Sequence, residues 1–178
     1  MDIKISAEEL KSVAVHEAAH AVMAVLTDLP CWGIFLQGDG VVFEQFCCLI
    51  KNGEPLGKGD YLQSAAGAAG ELVFFGEYSY PATNKDRAIF RERTNPSWGE
   101  TVEEAKVILT PERDNIQALA SLVEEKIEFA PDSTVRTRHM DGDTRLFREL
   151  VDAGELYKVV GRTAPPTVVA WLRAQLGR

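Results

Sequence analysis

From Val13 to Leu26 every residue except His16, Glu17 and His20 is Val, Ala, Met or Leu. Just upstream, Ser6 followed three residues later by Glu9 reads as a capping box, and Ile5 with Leu10 can close a hydrophobic staple around it. The stretch therefore reads as a helix from Ala7 to Thr27, stopped by Asp28, Leu29 and Pro30. A helix apolar on every side belongs in an interior. The rest of the chain has to wrap around it and also has to accommodate three ionisable side chains within it.

The spacing of those three side chains suggests how. At about 100° per residue, His20 lies about 40° round the helix from His16 and Glu17 about 60° further on, so all three share one face. Two neutral imidazoles one turn apart can hold one zinc ion and leave positions for a further protein ligand and a water. Zinc brings the pKa of such a water towards neutrality, and Glu17 is placed to take the proton. The other reading is a hydrogen-bonded cluster in the core. A buried ionisable trio must be compensated in some way, and a metal is the economical means.

Composition bounds the remaining choices. A chain of 178 residues, 46% hydrophobic and 26% charged, suits one compact domain, and the order of elements that follows makes it α+β, mainly helical. A net charge of −8 argues against nucleic acid or an anionic membrane as the main partner. No run reaches membrane-spanning length, and nothing resembles a targeting signal. Three cysteines, Cys31 alone and Cys47 beside Cys48, do not make a disulfide framework. A cytoplasmic location is expected.

After the first helix, Trp32 to Leu36, a Gly38, Asp39, Gly40 turn and Val41 to Ile50 read as a β-hairpin. Such a strand could hold an extended peptide through its main chain, or it could simply cover the core. Lys51 to Gly59 reads as loop, and Asp60 with Gln63 opens a helix from Tyr61 to Phe75. Its Ala65, Ala66, Gly67, Ala68, Ala69 and Gly70 allow another backbone to come close. Glu71 in this helix could orient a metal-bound histidine, ligate the metal itself, or turn to solvent. Thr83 or Asn84 caps a short helix to Arg93, in which Asp86 either points into a site or favours the helix dipole.

Thr101 with Glu104 opens a helix to Leu109, and Thr110 with Pro111 opens the next. In that helix Ile116, Leu119, Ala120, Val123 and Ile127 mark a core face. Beyond Pro131, Arg136, Arg138, Arg145 and Arg148 surround His139, Asp141, Gly142 and Asp143. The Asp-Gly pair reads as a turn and the arginines as a solvated face, with an acidic partner as the other reading. Helices from Thr144 to Asp152, closed by Gly154, and from Pro165 and Pro166 onward finish the chain. Residues 1–130 thus form the zinc-binding domain, and 131–178 a helical extension packed on it.

With these elements in order, the sequence resembles the peptidase domain of the FtsH family of ATP-dependent zinc metalloproteases, from about Val13 to Glu128. Val15 to Val22 is similar to the family's zinc helix, with Ala19 where a glycine is usual. The hairpin from Trp32 to Phe46 has the same place in the order, and Ala65 to Gly76 resembles the family's small-residue helix. The resemblance implies a zinc metallopeptidase acting on peptides or unfolded segments, with Glu17 catalytic. It also implies a third ligand, an aspartate in the helix after the Gly-Glu turn. Aligning Arg87 and Ala88 with the family's Arg-Ala pair puts Asn84 at that position, whereas a two-residue shift puts Asp86 there; Glu71 is the fallback. His16, His20 and Asp86 are the expected metal ligands, since an amide is a poor substitute for a carboxylate at zinc. No stretch resembles the family's ATPase module or membrane anchor, so a separate ATPase or loose substrates are expected, and the family implies a homo-oligomer. The competing expectation is a degenerate protease-like domain that serves as a protein-interaction module. A metallopeptidase of another helical-motif group fits the element order less well.

Overall fold

A computed structural model of the protein describes residues 6–38, 43–50, 58–78, 86, 87, 90, 97–128, 137–139 and 146–176. Helix α1, Ala7–Leu26, begins with the expected capping box. The Glu9 amide donates to Ser6 Oγ at 3.2 Å, and the Ser6 amide donates to Glu9 Oε2 at 2.9 Å. Ile5 lies outside the described residues, but Leu10 is buried. Thr27 ends the helix by donating its hydroxyl to the Met23 carbonyl at 2.7 Å, and Asp28 follows at φ 58°. From Ala14 to Val25 only Glu17 is not buried. Every other major element of the fold touches this helix or a neighbour of it.

Strands β1 (Cys31–Gly38) and β2 (Phe43–Ile50) pair antiparallel, as the hairpin reading expects; the turn between them lies outside the described residues. Ile34 and Leu36 of β1 join the main core with α1. Helix α2 starts at Lys58, earlier than Asp60 and Gln63 suggested, and runs to Phe75. Its small residues meet α1 closely. A Cβ added at Gly70 would come within 2.4 Å of the Ala19 Cβ, and one at Gly59 within 3.1 Å of the Thr27 side chain. Helical residues Asp86, Arg87 and Phe90 lie where the short helix is expected, while Thr83, Asn84 and Arg93 fall outside the described residues.

Helix α3, Trp98–Leu109, opens at Ser97 and not at Thr101. Ser97 with Glu100 forms a capping pair one turn earlier, and Thr101 is buried in the helix, donating back to the Ser97 carbonyl at 3.0 Å. Thr110 likewise donates back, to the Lys106 carbonyl at 2.7 Å, and is the C-cap of α3, not the N-cap of the next helix. Thr110–Glu112 makes a 3-10 turn that leads into α4, Arg113–Glu128. Ile116, Leu119, Ala120 and Val123 of α4 are fully buried, and Ile127 packs partly against them. Arg113 ties the end of α2 to this helix, with its guanidinium 4.6 Å from the Phe74 ring centroid.

The C-terminal part corrects the expected helix over Thr144 to Asp152. Leu146–Asp152 is strand β4, paired antiparallel with β1 and with the short β3, Thr137–His139, in the order β2-β1-β4-β3. The extension is therefore not purely helical. The second edge of β1 needs main-chain partners, and Phe147, Leu150 and Val151 suit a strand with both faces covered. On the face away from the main core, Phe147 meets Phe35 edge to face at 6.2 Å. Arg148 and Glu149 are buried, so Arg148 is not part of a solvated face; Arg136 and Arg145 lie outside the described residues. Asp152 accepts from the Glu155 amide at 2.8 Å and opens α5, Ala153–Val160, which Gly161 at φ 68° closes in place of Gly154. Helix α6, Pro166–Leu176, starts as the paired prolines predict. Among the described residues no helix is long and apolar enough to cross a membrane.

Gly33 holds the bulge where β1 is squeezed between its partners. Its φ is 130°, and an added Cβ would fall 2.2 Å from the Val151 carbonyl oxygen. Gly33→Ala is expected to lower stability by about 1–3 kcal/mol from backbone strain alone. Gly99→Ala, whose Cβ meets nothing within 4 Å, is expected to raise it by up to about 1 kcal/mol. Chemical denaturation reads both signs, and an unshifted midpoint for Gly33→Ala refutes the assignment of strain.

Candidate metal centre

The site forms where α1 and α2 run closest. His16 and His20 project from α1 onto Gly67 of α2, where an added Cβ would lie 2.3 Å from His16 Nε2 and 2.6 Å from His20 Nε2. The two rings fill the space that a side chain at residue 67 would take. Both histidines are buried, and their centroids lie 4.8 Å apart, nearly edge to face.

Each ring is fixed from behind through Nδ1. His20 Nδ1 lies 2.7 Å from the Gln63 carbonyl oxygen, which can only accept, so Nδ1 carries the proton. His16 Nδ1 lies 2.6 Å from Glu71 Oε1 and donates to it. Glu71 is 1% exposed. The solvent-facing reading of this residue is overturned, and the contact is that of a carboxylate orienting a histidine. In the neutral rings both Nε2 atoms then carry lone pairs, and they face each other at 3.1 Å.

Asp86 completes the arrangement. Its Oδ2 lies 3.0 Å from His16 Nε2 and 3.2 Å from His20 Nε2. Three acceptor atoms thus form a nearly equilateral triangle, which is repulsive unless a cation lies among them. A tetrahedral ion with bonds of about 2.0–2.1 Å holds its nitrogen and oxygen donors roughly 3.3–3.4 Å apart, close to the spacing found here. The buried His16 and His20 with the partly exposed Asp86 can hold a metal ion, their donor atoms lying within 4.8 Å of one another. Asn84 lies outside the described residues.

Without a metal, a proton takes the cation's place. Burial pushes the His16 pKa down, but the hydrogen bonds to Asp86 and Glu71 and the negative charges of Glu17 and Asp86 outweigh it and raise the value to about 10. Burial pushes Asp86 up, yet the charge of His20 and the hydrogen bonds from both histidines hold its carboxyl well below the usual range. Glu17 is half-buried on the next position of α1, near enough for its charge to act on His16.

The sequence points to His16, Glu17, His20, Glu71 and Asp86, but not to the site roles of Gln63 and Gly67. Gln63 acts through a main-chain carbonyl that any residue would supply, so no residue type signals it. Gly67 stands in a run of small residues that gives it no separate signal. No protein-family model matches the chain, and no curated protein matches it.

Gly67→Ala is expected to push the imidazoles off Gly67 and lower metal affinity about tenfold or more, the scale seen when ligand orientation is lost. Equilibrium dialysis checks this, with circular dichroism confirming the fold. Metal uptake at about pH 8 is expected to release about one proton, that of His16, read by calorimetry in buffers of different ionisation enthalpy. In the metal-free protein the raised pKa of His16 stabilises the fold fully below the unfolded histidine value of about 6.5. That contribution is lost as pH rises through about 10.

Proposed function

We propose that the protein is a zinc-dependent metallopeptidase that hydrolyses peptide bonds in loose protein segments. The observation that carries this reading is the triangle of His16, His20 and Asp86 acceptors with Glu17 beside it on the same helix. Two imidazoles and one carboxylate, with no thiolate, make a donor set typical of hydrolytic zinc sites that keep a position open. The order of zinc helix, hairpin and small-residue helix, which resembles the FtsH peptidase domain, supports the same class.

His16, His20 and Asp86 would hold the ion, which supplies Lewis acidity that makes a water nucleophilic near neutral pH and polarises the scissile carbonyl. Glu17 takes the attacking water's proton on its carboxylate and returns it to the departing amine nitrogen. Glu71 and the Gln63 carbonyl keep the Nδ1 protons of His16 and His20 in place, so that both Nε2 lone pairs stay available throughout. Strand β2, at one end of the sheet order, offers main-chain groups to an extended peptide.

Protein purified without added zinc is expected to carry about one equivalent of zinc, and His16→Ala to lose it. Glu17→Gln should keep the metal and lose peptidase activity on an unfolded protein by about a hundredfold or more. Activity that survives in Glu17→Gln rules out the mechanism. A wild-type protein that takes up no metal points instead to an interaction module on a protease-like fold.

A further inference from the structure

His16 and His20 are placed by the close packing of α1 on α2, but Asp86 belongs to neither helix. It stands 70 residues from His16 in the chain, and its carboxylate still reaches both imidazoles at 3.0 and 3.2 Å. Something outside the helix pair must bring it there. Asp86 and Phe90 are both helical and four residues apart, the spacing that puts two side chains on one face. Asp86 is partly exposed, and so is Arg87, whereas Phe90 is buried at 6% exposure.

The Phe90 ring sits between two helices. It meets Tyr61 of α2 edge to face at 5.8 Å and Trp98, the first residue of α3, edge to face at 5.3 Å. Tyr61 is two residues before Gln63 and six before Gly67, so the helix that cradles the two rings also receives the Phe90 side chain. Edge-to-face pairs have preferred geometry, and three linked rings restrict rotation and sliding more than an aliphatic contact does.

We propose that Phe90 is a positioning residue for the metal centre: the Tyr61–Phe90–Trp98 clasp holds the helical segment bearing Asp86 against α2 and thereby sets the third ligand. This rests on the metal-site reading above. The clasp touches neither metal nor substrate, and it acts only through the place of the Asp86 carboxylate. Loosening it should leave a two-histidine site that still binds metal, but weakly and with altered coordination.

Cobalt(II) titration of the full chain, followed by visible absorption, tests this. Wild type should bind cobalt with the strong absorption of a four-coordinate ion. Phe90→Ala should bind about ten- to a hundredfold more weakly, with the absorption weakened and shifted as an open site fills with water. Phe90→Leu, which keeps the burial but loses both ring contacts, should recover only part of the affinity. Ile116→Ala, which removes a fully buried side chain of α4, should lower thermal stability and leave the cobalt spectrum unchanged. If Phe90→Ala does not fold, Trp98→Leu loosens the same clasp from the α3 side and is expected to give the same spectral change. Wild-type affinity and spectrum in the clasp variants overturn the proposal, as does an equal loss in Ile116→Ala. If wild type itself takes up no cobalt, the metal-site reading fails, and the clasp proposal fails with it.

Discussion

The close approach of α1 and α2 is the constraint on which the rest depends. Gly70 meets Ala19 where two methyl groups could not both fit, and Gly67 leaves the room that the imidazoles take. An ordinary side chain at either position would hold the helices apart, taking the Gln63 carbonyl and Glu71 out of reach of Nδ1. One packing choice therefore sets both ring positions and both tautomers. Behind α1, β1, β2, α4 and α5 fill the remaining sides, so the helix cannot move away from α2 without exposing core.

That rigidity comes with an electrostatic cost. Two lone pairs and a carboxylate oxygen within 3.2 Å of each other are not a stable neutral arrangement. The raised pKa of His16 shows how the metal-free protein resolves it: a proton shared towards Asp86 becomes the missing cation. A metal ion held there would do the same job with more charge, but it would have to displace that proton first. Glu17 and Glu71 both hold the His16 proton more tightly, so the groups that suit the site to a cation also make it compete with hydrogen ions.

Much of this was legible in the chain, because the informative residues carried their meaning locally. The histidine pair declared itself by spacing, the start of α1 by Ser6 and Glu9, and the core face of α4 by its apolar period. Errors arose where tertiary contacts decided. Leu146–Asp152 has turn residues on both sides, consistent with a short helix, and only the unfilled edge of β1 makes it a strand. Thr101 with Glu104 is as good a capping pair by sequence as Ser97 with Glu100, but Thr101 is buried inside the helix and gives its hydroxyl to the Ser97 carbonyl. The role of Glu71 lay beyond any local signal, since a carboxylate at that position turns inward only if a histidine from another helix is there to meet it.

The metal centre therefore has two kinds of support. The histidines are held by backbone packing between two long helices, with Gly67 and Gly70 as its sensitive points. Asp86 reaches the site from a helical segment whose buried anchor among the described residues is one aromatic side chain. In a site of this construction the histidine pair fixes where an ion can lie, and the third ligand governs how tightly it is held. Changes in the aromatic contacts of Phe90 would then tune affinity without disturbing the two imidazoles or Glu17. A chain built this way can keep both imidazoles and Glu17 in place while the position of Asp86 changes, which is why His16, Glu17 and His20 alone do not determine what such a site holds.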